Sequence, residues 1–306
     1  MVSRATLVAA TLVMTLGCGR PTDPVGDAPS PDGATHPRVV SLAPALTAIV
    51  RALGGDGHLV GVTAFCDAPG VTVVGDFKPR PEAVLAQRPE VVLMAGYPTQ
   101  AETAAALAAL GLTVKTLPLV TLDDMRHATR EIGLLLSREA AAEAAVADLD
   151  RALADAARAL PGGTPPVGVL LVYDVQPGFV ITSGGGDHVS ELLRRLGAAN
   201  VIDGPVTARV GLERVLEVAP ELILHVAPDD RFRDSAAAKK HWSGWPELPA
   251  VRRHQVVVFP GDGLARNGPH LVSVVPTLAA IITAARDARA GDRTGAPPTT
   301  PSGDAR

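Results

Sequence analysis

Residues 81–93 read PEAVLAQRPEVVL and residues 212–224 read LERVLEVAPELIL. Aligned at an offset of 131, they share six of thirteen positions: Glu82/Glu213, Val84/Val215, Leu85/Leu216, Pro89/Pro220, Glu90/Glu221 and Leu93/Leu224. Each copy runs from a short amphipathic stretch through a proline into an apolar run. That is the pattern of a helix, a loop and a buried strand. Its recurrence at matching places in the two halves argues that the chain holds two related lobes.

Working outward, both halves alternate strand and helix signals. In the first, 38–42, 59–62, 91–94 and 112–116 read as strands, and 46–53 and 100–110 as helices stopped by Gly54-Gly55 and Gly111. In the second, 167–173, 179–182, 222–225 and 255–259 read as strands, and 189–196 and 271–285 as helices. Gly184-Gly185-Gly186 reads as a strand-to-helix turn with Asp187 as N-cap. Such alternation predicts an α/β fold with mostly parallel sheets. Between the halves, Thr121 and Asp124 form a capping pair for a helix toward Leu136. Ser137 is expected to cap a second, Ala-rich helix to about Leu160, a rod of roughly 36 Å.

Composition narrows the function. The chain has 306 residues, 28 Lys plus Arg against 32 Asp plus Glu, and 3% aromatics. A formal charge of −4 gives no footprint for nucleic acid, and two cysteines exclude a four-Cys zinc site. Outside the N-terminus no run is expected to reach the roughly 18 apolar residues of a spanning helix. No G-x-S-x-G, H-E-x-x-H, C-x-x-C or Walker A motif occurs, so no catalytic residues and no cofactor are assigned. Cys66 reads as a small packing residue, with metal ligation as the other possibility.

The N-terminus carries an address. One basic residue, Arg4, precedes the apolar stretch Ala5–Leu16, which is followed by Gly17-Cys18. Residues 1–17 therefore read as a signal peptide. Thr15-Leu16-Gly17-Cys18 resembles a bacterial lipobox, with Thr15 where Leu is usual, and makes Cys18 the expected lipidation site. Residues 18–37, rich in Pro, Gly and Asp, read as a tether, and 289–306 as a disordered tail. The folded part divides into an N-terminal lobe (38–120), connecting helices (121–162) and a C-terminal lobe (163–288).

Together with the repeat, the segments RVVSLAPALTAIVRALG, VVGDFKPRPEAVLAQRPEVVL, ITSGGGDHVSELLRRLGAANVI, WPELPAVRRHQVVVFPGD and RNGPHLV resemble the iron–siderophore/cobalamin class of ABC-transporter substrate-binding proteins. The resemblance spans about residues 38–288. It implies two Rossmann-like lobes on a long rigid helix, with ligand held in the cleft between them. It further implies a monomer, exported and held at the membrane by lipid alone, that delivers a metal chelate to an ABC permease dimer with its ATPase. Cobalamin or another corrinoid is the first expectation, with a ferric siderophore or haem next. The alternatives are an exported chelatase-like enzyme and a ligand-sensing lipoprotein without a transporter.

By that resemblance Glu82 and Glu213 dock on the permease, although a first-turn carboxylate also simply complements a helix dipole. Phe65, Phe77, Tyr97, Tyr173, Asp262 and Arg266 match ligand-contacting places. For Asp262 and Arg266 a loop-to-helix salt bridge is the other reading. Where cobalamin-binding members carry further aromatics, this chain has Ala68 and Gly263. Lys78, Arg80 and Arg266 would suit an anionic siderophore, and Tyr97, Tyr173, His188 and His225 are the candidate axial ligands for haem. Trp242 and Trp245 read as packing residues.

Overall fold

The computed structural model describes residues 37–294 except 77, 161–162, 205, 228 and 230. The signal peptide, Cys18, nearly all of the tether, Phe77 and the last part of the tail lie outside the described residues. The N-terminal lobe contains β1 (Val39–Ser41), α1 (Pro44–Ala52), β2 (Leu59–Thr63), β3 (Val73–Gly75), α2 (Pro81–Ala86), β4 (Val91–Ala95), α3 (Ala101–Ala109) and β5 (Val114–Leu117). These strands form one parallel sheet in the order β3-β2-β1-β4-β5.

Helices α4 (Leu122–Leu135) and α5 (Glu139–Arg158) follow. The C-terminal lobe then runs β6 (Val167–Val172), β7 (Asp174–Gln176), β8 (Phe179–Thr182), α6 (His188–Arg195), β9 (Ala198–Asn200), β10 (Ala208–Gly211), α7 (Leu212–Val218) and β11 (Leu222–His225). It ends with α8 (Ser235–Trp242), α9 (Pro249–Arg252), β12 (Val256–Val258) and α10 (Leu271–Thr294). Its main sheet is parallel, in the order β12-β11-β6-β9.

The repeat is visible in the backbone. Residues 81–93 form α2 and the start of β4, and residues 212–224 form α7 and most of β11. Each helix ends at a left-handed residue just before the shared proline, Arg88 (φ 48) and Ala219 (φ 45). The next residue then donates to the lobe's first strand region, Glu90 N to Arg38 O and Glu221 N to Gly168 O, both at 2.8 Å. In each sheet the repeated strand pairs with the first strand of its lobe. Two chance uses of a common pattern would not be expected to share the strained residue and this bond together.

The connection is a helical hairpin shared by both cores. Leu122 and Met125 of α4, with Leu149 and Leu153 of α5, belong to the C-terminal core. Ala128, Ile132 and Ala142 belong to the N-terminal one. Thr121 and Asp124 form the expected reciprocal capping box. Ser137 does not cap α5. It takes the left-handed conformation (φ 54) needed to reverse the chain in a short turn, and Arg138 stands at the N-cap without a side-chain bond. At 20 residues α5 is about 30 Å long, shorter than expected.

Gly133 is where the two helices meet most closely, since a Cβ there would lie 2.5 Å from Ala142 Cβ. Helix propensity alone would make Gly133→Ala stabilising by about 1 kcal/mol. Because neither Cβ can turn aside, we expect a net loss of about 1–3 kcal/mol instead, read as a lower urea midpoint at unchanged slope.

Two further sequence expectations are corrected. The final helix does not stop at 285, and the tail does not begin at 289. α10 continues to Thr294 because Arg289 reaches Glu221 (3.1 Å) and Asp292 pairs with Arg253 (2.8 Å). The stretch Leu271–Asp292 is also long and apolar enough to cross a membrane by length and composition. In the fold, however, it buries Leu271, Val275, Leu278 and Ile282 in the C-terminal core. β8, over the expected residues, lies outside the main sheet: β10-β8-β7 form a separate antiparallel sheet. β7 and β8 are joined through Gly178 at φ 84, a tight hairpin that the Pro177-Gly178 pair signals.

Candidate functional site

Parallel α/β sheets place their ligand sites at the carboxyl ends of the strands. β4 and β5 lead directly into Tyr97 and Leu119-Val120, and β6 leads into Tyr173. Between the lobes a cavity of about 260 Å³ is lined by Tyr97, Leu119, Val120, Tyr173, Asp187 and His188, among others. A second, of about 230 Å³, shares Tyr97 and Leu119 and extends into the N-terminal lobe past Pro44, Phe65, Asp76 and Gln100. A third, of about 290 Å³, shares Pro44 and is bordered by Arg51, Asp67, Asp262 and Arg266. The three adjoin through these common residues and make one divided cleft.

The exposed aromatics among the described residues gather here. Phe65 (45% exposed), Tyr97 (43%) and Tyr173 (37%) are the aromatic side chains among the exposed large hydrophobics, and all three line the cleft. The two tyrosines are the only ones in the chain. Tyr173 Oη donates to Asp187 Oδ2 at 3.0 Å. Burial first, then the Asp187 carboxylate, holds that phenol well above its usual range. Asp187 also caps α6 as expected, accepting from Ser190 N at 2.8 Å. Tyr97 is raised too, by burial and then by Asp124.

The cleft floor is the crossover between lobes, and most of its backbone polar groups are engaged. Val120 N and Thr121 N donate to Asp124 Oδ2, and Val120 O accepts from His188 N. Asn267, only 4% exposed, donates through Nδ2 to Leu119 O (3.3 Å) and Thr121 O (2.8 Å).

The other expected residues separate. Asp262 and Arg266 pair with each other, which is the salt-bridge alternative, and they border the cleft's outer groove. Arg51 across that groove is held by Asp56 and Asp67 at 2.8 and 2.9 Å. Lys78 and Arg80 are exposed and do not line the three cavities. Among the haem candidates, His188 Nε2 lies 3.1 Å from Leu264 O, and burial lowers its pKa.

His225 is not in the cleft. Its Nε2 accepts from Trp242 Nε1 at 3.1 Å, which puts the ring proton on Nδ1, and burial pushes its pKa down to about 4. Trp242 is fully buried and packs on His241 and Trp245. Cys66 Sγ lies half-buried between Thr47 Oγ1 (3.1 Å) and Thr63 Oγ1 (3.2 Å). Among the described residues no group of three His, Cys, Asp or Glu converges to hold a metal.

Away from the cleft, Glu82 and Glu213 stand exposed in the first turns of α2 and α7. Neither carboxylate forms an ion pair with a described residue.

Sequence reading missed Asp76, Gln100, Leu119, Val120 and the second bond of Asp187 as cleft features. The runs after β4 and β5 were legible only as loops. Their convergence depends on strand order.

A two-lobed parallel α/β chain with an aromatic cleft and a shared helical hairpin is the architecture of an extracytoplasmic solute receptor. The chain belongs to the periplasmic binding protein family, whose profile matches residues 39–262. It is 27% identical to the ABC transporter substrate-binding lipoprotein YvrC of Bacillus subtilis, over 91% of this chain and 97% of that one. It is 26% identical to the vitamin B12-binding protein of Vibrio cholerae, over 78% and 86% of the two chains. A periplasmic haem-binding protein from Pseudomonas aeruginosa superposes with a TM-score of 0.67 at 26% identity, covering 81% of this chain and 92% of that one.

Proposed function

We propose that the protein is a lipid-anchored solute-binding protein that captures a metal chelate, a corrinoid such as cobalamin foremost, and delivers it to an ABC importer. The observation that carries this reading is the convergence of Phe65, Tyr97 and Tyr173 on one inter-lobe cleft in a chain otherwise poor in aromatics. Exposed ring faces suit a large, flat, partly apolar ligand. The relatives named above are binding proteins, which supports a receptor over a chelatase. The lipoprotein relative and the Thr15–Cys18 motif support anchoring at Cys18.

Within the chelates, the local chemistry favours a corrinoid. Haem ligation through Tyr173 uses a phenolate, which the Asp187 carboxylate 3.0 Å from its Oη disfavours. An anionic siderophore needs free cations, whereas Arg51 and Arg266 are already paired with aspartates. A corrinoid makes neither demand. Glu82 and Glu213 serve as the docking carboxylates, one on each lobe and each addressing one subunit of a permease dimer.

Thermal melts of the mature protein with cyanocobalamin, haemin and a ferric-siderophore panel test the ligand class. At a hundredfold excess over Kd, ligand adds about 2.7 kcal/mol, a shift of roughly 5–10 °C for a domain of this size. We expect that shift with cyanocobalamin. A response to haemin alone would replace the corrinoid with haem, and no response to any of them would remove the ligand class.

A further inference from the structure

The two inner cavities carry no cation. Among the described residues that line them there is no Arg and no Lys, and the charged groups are two carboxylates, Asp76 and Asp187. Asp187 is occupied by Tyr173 Oη and the start of α6. Asp76 is different. Its Oδ1 accepts from Lys78 N at 3.1 Å within its own turn, and no described cation pairs with it. It is exposed into a cavity whose wall includes Phe65 and Tyr97.

A carboxylate with no described cation partner, set in a wall with Phe65 and Tyr97, is thus the charged acceptor that this cavity presents.

We infer that Asp76 is a specificity-determining residue that selects carboxamide N–H donors on the rim of the macrocycle and rejects carboxylates there. The inference rests on the corrinoid reading above and sharpens it. A ligand edged with carboxamides donates to Asp76, whereas one edged with carboxylates meets a like charge in a cavity that no described Arg or Lys lines. Discrimination then comes from repulsion as much as from attraction, which is how a site separates ligands of the same shape.

The test compares pairs of ligands that differ only in that group. Cyanocobalamin is titrated by calorimetry against its separated monocarboxylic acids, in each of which one propionamide has been hydrolysed. Haemin is titrated against haemin diamide in parallel. In wild type, the acid isomer bearing its carboxylate at the contacted position should bind about tenfold more weakly than the amide, and the haemin pair should order the same way.

Asp76→Asn keeps an oxygen for the Lys78 N–H bond while removing the charge. It should bring the acid and amide forms to within about twofold of each other without changing the melting temperature of the free protein. Equal affinity for acid and amide forms in wild type, or an unchanged ratio in Asp76→Asn, would overturn the inference and leave the macrocycle reading standing. Failure of every macrocycle to bind wild type would overturn that reading and this inference with it.

Discussion

Uptake of ligand by cells should fall to background when Glu82 and Glu213 are both replaced by arginine, while the purified protein should bind its ligand with an affinity unchanged within about twofold. This is the outcome expected of the proposed docking role. Both carboxylates are exposed, both lack an ion-pair partner among the described residues, and both occupy the first turn of the repeated helix on opposite lobes. Neither lines a cavity of the cleft.

The effect on stability should be small. Each carboxylate complements the N-terminal end of a short helix, a contribution of about 0.3–1 kcal/mol at an exposed site. Arginine at the same place reverses that term, so the double variant should still fold and melt a few degrees lower. Docking is affected far more, because each change turns an attraction into a repulsion at a contact used twice by a two-fold partner. Either single variant should retain partial transport. Radiolabelled-ligand uptake beside calorimetry on the purified variants separates the two roles. Wild-type transport by the double variant would return both glutamates to helix-dipole duty.

The second large effect lies far from the cleft. Trp242→Ala should cost about 3–5 kcal/mol in transfer and cavity terms. Trp242 is fully buried in the outer core of the C-terminal lobe, against His241 and Trp245. Its indole N–H is also the described donor to His225 Nε2, and losing it leaves a buried acceptor unpaired at a further cost of about 1–3 kcal/mol. Against a typical stability of about 5–15 kcal/mol, the variant should be recovered in low yield or with a loosened C-terminal lobe. Trp242→Phe, which removes the donor but retains a ring, should cost less and remain measurable.

The same pair carries a pH signature. His225 has a pKa of about 4 in the folded protein, below the roughly 6.5 of an exposed histidine. The unfolded chain therefore binds the proton first, and the stabilisation is complete above pH 6.5. It is lost as pH falls from there through about 4, an effect of about 3 kcal/mol across that window. Urea midpoints followed from pH 7 to pH 4 should fall accordingly. In Trp242→Phe, where neutral Nε2 has lost its donor, the fall should be smaller. An identical pH profile in the two proteins would show that the indole does not hold His225 neutral.

Much of the architecture was local and therefore readable. The helix–loop–strand unit lies within thirteen residues, so its two copies, the shared proline and the apolar run after it could be recognised without any contact between them. The Thr121–Asp124 capping box and the Asp187 cap are equally local, each spanning a single helical turn. Where a local reading failed, a neighbouring constraint prevailed. Ser137 would have been a good cap, but the turn between α4 and α5 required a left-handed residue at that position. α10 outran its apolar stretch because Arg289 and Asp292 found partners on other elements.

The repeat and the alternation of strand and helix were determined by the sequence alone, because short-range periodicity and capping act within a few residues. Only the tertiary structure decided what the side chains at the cleft face. Strand order brings Tyr97, Leu119, Tyr173 and Asp187 together from both lobes, and it places Asp76 in one cavity wall with Phe65, paired with no described cation. It also sends His225 to Trp242 in the core and away from any ligand. Asp262 and Arg266 could have met a ligand or each other, and they met each other because they stand four residues apart in one turn on the rim of a groove whose other described arginine, Arg51, is already paired. Which of two plausible partners a side chain takes depends on what the rest of the fold places beside it, and no single stretch of chain carries that information.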